Sequence, residues 1–290
     1  MTLPDATAPA PHADDDASLP PAARHTGAAA EQTATVIANA AVNAEYRHLV
    51  LHAAPPATGA APGQFFQLLC PAPPGAAPFL RRPMSVYAAD PAAREVAFLY
   101  KVAGAGTLGL AGLRPGEALD ILGPLGRGFA LDPAWRSIVA VGRGAGLATL
   151  GPLAQAARAR GIGVTAVLSA RRPDLVVSDA LFRACGADVL AITDAEGTSG
   201  PIHVERLLRR LIAERRCDAF FTCGSARLLA VQQRLAREFG LPGQVALEQQ
   251  MACGLGMCFC CVREFNVGGA VVHKRVCWDG PVFDIAEAMA

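Results

Sequence analysis

Lysine is almost absent from this chain, since only Lys101 and Lys274 occur among its 290 residues. Arginine therefore supplies nearly all of the 26 basic residues, which balance 25 acidic residues to give a formal net charge of +1. The chain has no dense basic run that could hold a phosphate backbone through counterion release. A nucleic acid is therefore not an expected partner.

Long apolar runs are missing as well. No stretch reaches the roughly 18 uninterrupted apolar residues of a membrane-spanning helix. A secretory signal needs a basic start and an apolar block of about 7–15 residues, and residues 1–31, which are rich in alanine, proline and aspartate, contain neither. We expect a cytoplasmic protein that has no membrane partner and that begins with a disordered tail over residues 1–31.

The remainder divides into three units, and the hydrophobic content of 52% is ample for real cores. Residues 32–132 contain short β-type runs separated by Gly and Pro turns, which predict a small β-barrel. Residues 133–242 alternate strand, Gly-rich turn and helix, which predicts a Rossmann-like parallel α/β domain. Residues 243–290 form a short, cysteine-rich and turn-rich unit.

Four of the nine cysteines lie in residues 251–262, MACGLGMCFCCV. In a reducing compartment, clustered cysteines indicate metal or redox chemistry rather than structural disulfides. Cys253, Cys258 and Cys261 are spaced C-x4-C-x2-C, and Cys277 follows after fifteen further residues. This is the spacing of plant-type 2Fe-2S ligation, in which each of two irons needs two thiolates. The sequence therefore favours a 2Fe-2S loop.

Two other interpretations of the cysteines remain. A tetrahedral zinc site also takes four cysteines, although zinc sites more often use two C-x2-C pairs and only one is present. Incidental buried thiols are the third possibility. Cys260 lies between two expected ligands and is interpreted as a bystander, while Cys70, Cys185 and Cys217 are expected to be buried or half-buried thiols.

A cluster accepts one electron at a time, so a two-electron donor needs an intermediary such as a flavin. Arg82 stands three residues before Ser85 in RRPMSV, an arrangement that could pair with a flavin phosphate. Gly104, Gly106 and Thr107 form a turn that could donate hydrogen bonds to a pyrophosphate. Taken alone, these residues equally fit an ordinary strand and an ordinary turn.

Residues 137–146, SIVAVGRGAG, place Gly142, Gly144 and Gly146 between a predicted strand and a predicted helix. Such glycines allow a pyrophosphate to approach a helix N-terminus, although they also fit a plain tight turn. No acidic residue ends the next strand, where a ribose hydroxyl is often bound. Arg171 and Arg172 stand there instead, so NADP remains an alternative to NAD.

Taken in order, seven segments of the chain resemble one family. They are RRPMSV, YKVAGAGT, LGPLGRGF, VGRGAG, TCGS, LEQQMACGLGMCFCCV and RVCWDGPVF, and the resemblance extends from Thr33 to Ile285. The family is the electron-transfer subunit of NAD-dependent (class B) dihydroorotate dehydrogenase, within the ferredoxin-NADP reductase superfamily. The resemblance implies an FAD-binding β-barrel, a nicotinamide-binding α/β domain and a C-terminal 2Fe-2S domain.

What the resemblance implies for individual residues is carried over by position. For FAD it implies a binding strand at Arg82, Pro83, Met84 and Ser85 and a pyrophosphate turn at Gly106 and Thr107. It also implies that the backbone of the strand at Leu99, Tyr100 and Lys101 faces the nucleotide. For NAD(H) it implies the glycine trio Gly142, Gly144 and Gly146, with Cys223 near the nicotinamide ring. The implied cluster ligands are Cys253, Cys258, Cys261 and Cys277.

The family also implies a partner and a pathway. Electrons run from NADH to FAD, to the cluster, and then to FMN in a separate catalytic subunit that oxidises dihydroorotate in pyrimidine biosynthesis, and the two subunits form a heterotetramer. No catalytic acid or base for dihydroorotate is recognisable in this chain. The chain departs from the family at Arg143, where a glycine is usual, and at Thr149, where a proline is usual.

Three functions therefore compete. The first is the dihydroorotate dehydrogenase subunit, and the second has the same cofactors but serves another partner, as in sulfide dehydrogenase or NADH-dependent ferredoxin-NADP reductase. The third is a non-catalytic electron relay whose nucleotide site has decayed at Arg143.

Overall fold

The computed structural model describes residues 29–289. Residues 1–28 of the predicted tail therefore lie outside the described residues. The first strand begins at Ala30 rather than at residue 32, because Ala30 and Glu31 already pair with Gly123 and Leu122. No helix in residues 29–289 is long and apolar enough to cross a membrane.

The N-terminal unit is a curled, seven-stranded antiparallel sheet. Its strands are β1 (Ala30–Ala41), β2 (Tyr46–His52), β3 (Phe65–Leu68), β4 (Arg82–Ser85), β5 (Ala88–Asp90), β6 (Glu95–Lys101) and β7 (Ala118–Leu125). The spatial order is β4-β3-β7-β1-β2-β6-β5, and the core inside the curl includes Phe66 and Phe98, whose ring centroids lie 5.5 Å apart. This sheet is the predicted barrel.

One short helix, α1 (Ala105–Ala111), interrupts the sheet between β6 and β7. The sequence predicted only a turn here, because three glycines in a short segment disfavour a helix. The helix forms because the Thr107 hydroxyl accepts hydrogen bonds from the backbone N–H groups of Ala103 and Gly104, at 2.8 and 3.1 Å. Gly109 is required in this helix, because an added Cβ would lie 1.8 Å from the carbonyl oxygen of Pro71.

The second unit is a six-stranded sheet with helices on both faces. The later elements of the chain are β8 (Ser137–Arg143), α2 (Gly146–Ala159), β9 (Gly163–Ala170), α3 (Asp179–Ala184), β10 (Asp188–Thr193), α4 (Pro201–Ala213), β11 (Ala219–Cys223), α5 (Ala226–Phe239), β12 (Gly243–Ala246), β13 (Val262–Val267), β14 (Ala270–Arg275), α6 (Val276–Asp279) and β15 (Val282–Asp284). Short 3-10 turns occur at Ala57–Gly59 and Pro173–Leu175.

The strand order is β10-β9-β8-β11-β12-β15, with the first five strands parallel and β15 antiparallel to β12. An apolar stripe of α4 packs inward, since Val204, Leu208 and Leu211 are fully buried. The fold class predicted from the sequence is confirmed. The sheet nevertheless extends past residue 242, the predicted end of the nucleotide domain. Both β12 and β15 belong to this sheet.

The cysteine-rich segment is an excursion from the edge of this sheet. It leaves after β12, forms the cysteine loop and the β13–β14 hairpin, and returns through α6 to β15. Cys261, Phe265, Val276 and Cys277 share one hydrophobic core with α4 and α5. Gly280 and Pro281 also contact the barrel, because the backbone N–H of Arg127 donates to the Gly280 carbonyl at 2.6 Å. All three units therefore meet at this point.

Candidate functional site

The four expected cluster ligands lie close together as two pairs. Cys258 is an electrostatic neighbour of Cys253, and Cys261 is one of Cys277, whose backbone N–H donates to Cys261 Sγ at 3.3 Å. Cys261 and Cys277 are each 1% exposed, whereas Cys258 is open to solvent. In the part of the chain that the structure describes, no three His, Cys, Asp or Glu side chains converge as ligands of a single ion would. Two thiol pairs are the donor set that two irons require.

Backbone N–H groups surround these sulfur atoms. Leu255 N–H donates to Cys253 Sγ at 3.3 Å, Gly256 N–H to Cys277 Sγ at 3.2 Å, and Cys277 N–H to Cys261 Sγ at 3.3 Å. Hydrogen bonds of this kind stabilise negative charge on sulfur and are the usual surroundings of a thiolate-held cluster. The residues present therefore fit a 2Fe-2S cluster, in which Cys253 and Cys258 would hold one iron and Cys261 and Cys277 the other.

Two of the four thiols, Cys253 and Cys277, differ in their acidity. Burial acts to raise the pKa of Cys253, but the backbone N–H groups of Leu255, Cys258 and Met257 outweigh it and bring the pKa to about 7. Burial, together with the neighbouring Cys261, raises the pKa of Cys277 to about 12. Cys253 therefore loses its proton more readily than Cys277, whose proton must be displaced when the thiol binds a metal.

Glycines let the cysteine loop approach its neighbours closely. Gly254 and Gly256 have φ angles of +71° and +77°, a region that other residues rarely adopt. A Cβ on Gly254 would lie 2.8 Å from the Gln67 side chain of β3, and one on Gly256 would lie 3.0 Å from Trp278. The loop is therefore packed directly between the barrel and α6.

On the barrel side, Arg82 and the turn at Gly106 come together. The Arg82 Nε lies 2.9 Å from the position that a Cβ of Gly106 would occupy. The guanidinium also donates to the Arg81 carbonyl at 3.4 Å, so it stays at the surface beside α1. The Thr107 hydroxyl, in contrast, is engaged within its own turn, because it also donates to the Gly104 carbonyl at 3.1 Å.

The other expected flavin residues lie on β4 and β6, two strands that come into contact where the sheet curls. Pro83 and Ser85 pair with Gln67 and Phe65 across β4 and β3, and Met84 packs on the barrel core. On β6, the Tyr100 hydroxyl donates to Asn39 Oδ1 at 3.0 Å inside the barrel, while Lys101 pairs with Glu45 at 2.8 Å and Leu99 packs against the nucleotide domain. These contacts leave mainly the backbone of β6 available to a ligand.

The glycine trio lies against the loop that follows β11. A Cβ on Gly146 would lie 2.5 Å from the carbonyl group of Cys223, and one on Gly224 would lie 2.3 Å from the Arg143 carbonyl oxygen. Gly144 has a φ of +57° and faces the Tyr46 hydroxyl of the barrel. A Cβ on Gly142 would clash with Leu147 at 2.7 Å. Gly146 therefore permits backbone-to-backbone contact, and Gly142 and Gly144 permit close side-chain contact, at the carboxyl edge of the parallel strands, where nucleotides bind in such sheets.

Cys223 lies beside a cavity at this edge. The cavity, of about 190 Å³, is lined by residues 222–226, by Glu248 and by Arg263 and Met289 near the C-terminus. The Cys223 thiol is 2% exposed and lies 3.8 Å from the Thr149 hydroxyl and 4.0 Å from Glu248 Oε1. Burial raises the pKa of Cys223, so the group stays a neutral thiol.

Two further residues at this edge of the sheet, Glu248 and Tyr46, were not predicted from the sequence. Glu248 is exposed at the cavity, yet the protein packed around its carboxyl group raises its pKa. Its position directly after a short β-type run was the available signal, because the ends of parallel strands carry functional side chains. The contact of Tyr46 with Gly144 joins two units of the fold, and no local sequence signal could have predicted it.

Arg143 does not lie free in the cleft. Its guanidinium donates to Ser169 Oγ at 2.8 Å and forms an ion pair with Asp194 at 2.5 Å. The hydrogen bond from Arg143, with a second from Ser199, lowers the pKa of Asp194. Arg171 is paired with Glu45 of the barrel, and Arg172 with Asp174 at 2.9 Å. Arg143, Arg171 and Arg172 are therefore each held by a carboxylate.

The remaining cysteines have the surroundings that the sequence predicted. Cys70 and Cys217 are buried and Cys185 is half-buried. Burial raises the pKa of Cys70 to about 11 and that of Cys217 to about 12. Cys260, the expected bystander, is exposed next to the cysteines expected as cluster ligands.

Known proteins are similar to this chain in sequence and in fold. A family model described as the iron-sulfur cluster binding domain of dihydroorotate dehydrogenase B matches residues 248–288, which include all four cysteines expected as ligands. The electron-transfer subunit of dihydroorotate dehydrogenase B (NAD(+)) from Geobacillus sp. is 36% identical over 234 residues, 79% of this chain and 87% of that protein. The chain belongs to this family of electron-transfer subunits.

Other similarities agree with membership of the dihydroorotate dehydrogenase B family. The corresponding subunit from Desulforamulus reducens is 32% identical over 77% of this chain and 85% of its own length. The solved structure of an NADH-dependent reduced ferredoxin-NADP oxidoreductase, reported for flavin-based electron bifurcation, is 28% identical, covers 88% of each chain and has a TM-score of 0.74. A cytochrome P450 reductase from Amycolatopsis, 21% identical over 73% of this chain and 67% of its own, shares the fold with a TM-score of 0.57.

Proposed function

We propose that this chain is the electron-transfer subunit of a dihydroorotate dehydrogenase B, passing electrons between NAD(H), FAD and a 2Fe-2S cluster to a partner catalytic subunit in pyrimidine biosynthesis. The partner in this proposal contains FMN and forms a cytoplasmic heterotetramer with the chain. The observation that carries the proposal is the grouping of the four cysteines beside the barrel, with backbone N–H groups donating to three of their sulfur atoms, in a chain whose relatives bear that name.

The division of labour follows from the residues. Bound FAD supplies the step between a two-electron hydride donor and a one-electron acceptor. In the proposal, Arg82, Pro83, Met84 and Ser85 with Gly106 and Thr107 hold the flavin nucleotide, and the glycine trio with Cys223 receives the nicotinamide nucleotide. The buried, neutral Cys223 thiol can pack against a nicotinamide ring without adding charge there.

The surface around the cluster ligands supports a protein partner. Three apolar side chains near Cys258 are exposed and form what we name the collar: Met257 (78%), Phe259 (63%) and Trp278 (42%). Exposed apolar side chains grouped around a functional centre mark interaction sites, and aromatic residues and Met are enriched at interfaces. We propose that the collar packs against the FMN-containing catalytic subunit, since that places the acceptor next to the most exposed ligand.

The test is an anaerobic mixture of the purified chain with the catalytic subunit, assayed for NAD-linked dihydroorotate oxidation. We expect activity that requires both proteins. Met257→Asp in the collar should abolish complex formation while NADH still bleaches the flavin. Ile202→Asp on α4 is the matched control, because Ile202 is also 78% exposed but lies away from the cysteines. Equal losses in the two variants would contradict the proposed interface.

A second candidate has the same cofactors and a different partner. The 28% identity to the NADH-dependent ferredoxin-NADP oxidoreductase, over 88% of both chains, favours this alternative. It predicts that the chain fails to couple to a dihydroorotate-oxidising subunit but binds a ferredoxin-NADP oxidoreductase partner. The third candidate, a relay whose nucleotide site has decayed at Arg143, predicts that NADH leaves the flavin oxidised. The ion pair of Arg143 with Asp194 argues against this candidate, because it holds the arginine side chain out of the nucleotide cleft.

A further inference from the structure

Gln67 is a polar side chain in an otherwise apolar contact between the barrel and the cysteine loop. Side chains alternate along β3, so Phe66 and Leu68 enter the barrel core while Phe65 and Gln67 face the other way. Phe65 packs there with Leu125 in the core that contains Cys261 and Cys277. Gln67 is 0% exposed on this face.

The amide of Gln67 has no partner from the chain. Neither its Nε2 nor its Oε1 forms a hydrogen bond with any residue in the range 29–289. Buried polar groups are normally hydrogen-bonded, and an unpaired one is costly to keep. Another buried glutamine, Gln244, shows the ordinary situation, because both ends of its amide bond to the backbone of Ala130, at 2.8 and 2.9 Å.

The position of the amide indicates what it could bond to. A Cβ on Gly254, the residue after Cys253, would lie 2.8 Å from Gln67 Nε2. On the neighbouring strand, Gln67 pairs with Pro83, one of the expected flavin residues. The amide therefore lies between the strand assigned to the flavin and the loop assigned to the cluster.

We propose that Gln67 is a positioning residue for electron transfer, whose amide N–H donates a hydrogen bond to sulfur of the cluster at Cys253. This inference rests on the 2Fe-2S cluster of the proposed function. The amide would add a side-chain donor from the barrel to the backbone donors of the loop itself. It would also join the cluster to the strand that holds the flavin.

The expected consequence is electrochemical. Reduction adds negative charge to the cluster, and a hydrogen bond to its sulfur stabilises that charge, so the donor raises the midpoint potential. Gln67→Met keeps the length of the side chain and removes the donor. We expect the variant to fold and to bind iron, with a lower cluster potential and a smaller fraction of reduced cluster at a fixed NADH to NAD ratio.

The experiment uses the full chain purified anaerobically with its cofactors. The potential of the cluster is measured by redox titration followed by electron paramagnetic resonance, and that of the flavin by absorbance. Gln67→His restores a ring N–H donor at similar reach and should recover part of the shift. Gln244→Met is the matched control, which should lower thermal stability and leave both potentials unchanged.

The outcomes separate this inference from the proposed function. A lower cluster potential in Gln67→Met, with partial recovery in Gln67→His, supports the inference. Unchanged cluster potential and resonance signal would overturn it, and so would a shift confined to the flavin, which would assign the amide to the flavin. A native chain without iron would instead refute the proposed function itself.

Discussion

Gly146→Ala is the most direct test of the contact between the glycine trio and the loop after β11. The added Cβ would lie 2.5 Å from the carbonyl carbon and oxygen of Cys223 and 2.8 Å from the backbone nitrogen of Gly224. All three atoms are backbone, so no side-chain rotation can relieve the clash. The two loops would have to separate by about 1 Å to reach an ordinary carbon contact of about 3.5 Å.

The magnitude follows from two opposed effects. Overpacking of this kind costs about 1–3 kcal/mol, and alanine in place of glycine in a helix returns up to about 1 kcal/mol. We therefore expect a net destabilisation of about 1–2 kcal/mol, or a fall in Tm of roughly 2–4 °C per kcal/mol for a domain of this size. Because the displaced loop is the one assigned to the pyrophosphate, the Kd for NADH should rise while FAD content is unchanged.

The assay is thermal unfolding of the holoprotein together with an NADH titration. Gly151→Ala, in the same helix α2, is the control, because its Cβ would meet only side-chain atoms: the end of Leu181 at 3.1 Å, which can rotate, and the Tyr87 ring at an ordinary contact distance of 3.5 Å. We expect the control to match or exceed the native Tm. If both variants have the same Tm and the same Kd for NADH, the close approach of the two loops is not what requires Gly146.

Three further predictions concern single side chains. Cys277→Ser should lose iron and the cluster resonance signal while FAD stays bound, and full iron content would show that the fourth ligand is another residue. Burial lowers the pKa of His48 below its ordinary 6.5, so the unfolded chain binds that proton more readily and stability should be lost as pH falls below 6.5. His48→Phe should therefore reduce the fall of Tm at pH values below 6.5. An unchanged fall would show that other groups cause it. In the holoprotein, mass mapping after brief treatment with iodoacetamide should find exposed Cys260 alkylated before buried Cys223, and the reverse order would contradict their placement.

Local pattern predicted much of the fold. The α4 stripe, the strand–turn–helix at the glycine trio and the spacing of the cysteines are each determined by residues close in sequence, so the sequence shows them directly. The helix α1 was missed because its stability depends on contacts outside its own seven residues, with Ala103 and Pro71. The place of β12 and β15 in the large sheet was missed because pairing of strands across about 35 residues leaves no local signal.

The candidate site, like the fold, could be predicted from the sequence only where residues close in sequence determine it. Motif spacing could nominate Cys253 and Cys277, but only the folded chain shows which thiols pair. The effect of Arg143 could not be read from the sequence, because its partner Asp194 lies 51 positions away on a different strand end. Gln67 carried no signal at all, since a lone glutamine in a strand is ordinary until its amide is found buried without a partner.

The junction at Gly280 and Pro281 has a consequence for how electrons can leave the protein. The Leu247 N–H donates to the Pro281 carbonyl at 2.9 Å, so the two ends of the cysteine-rich excursion are clamped to each other as well as to the barrel. Such a segment cannot act as a swinging arm that visits a donor and then an acceptor. The flavin site and the cysteine loop keep a fixed separation, so the partner protein that accepts the electrons has to bind at the loop. Transfer within the chain should therefore be insensitive to solvent viscosity, and only the encounter between proteins should slow as the medium thickens.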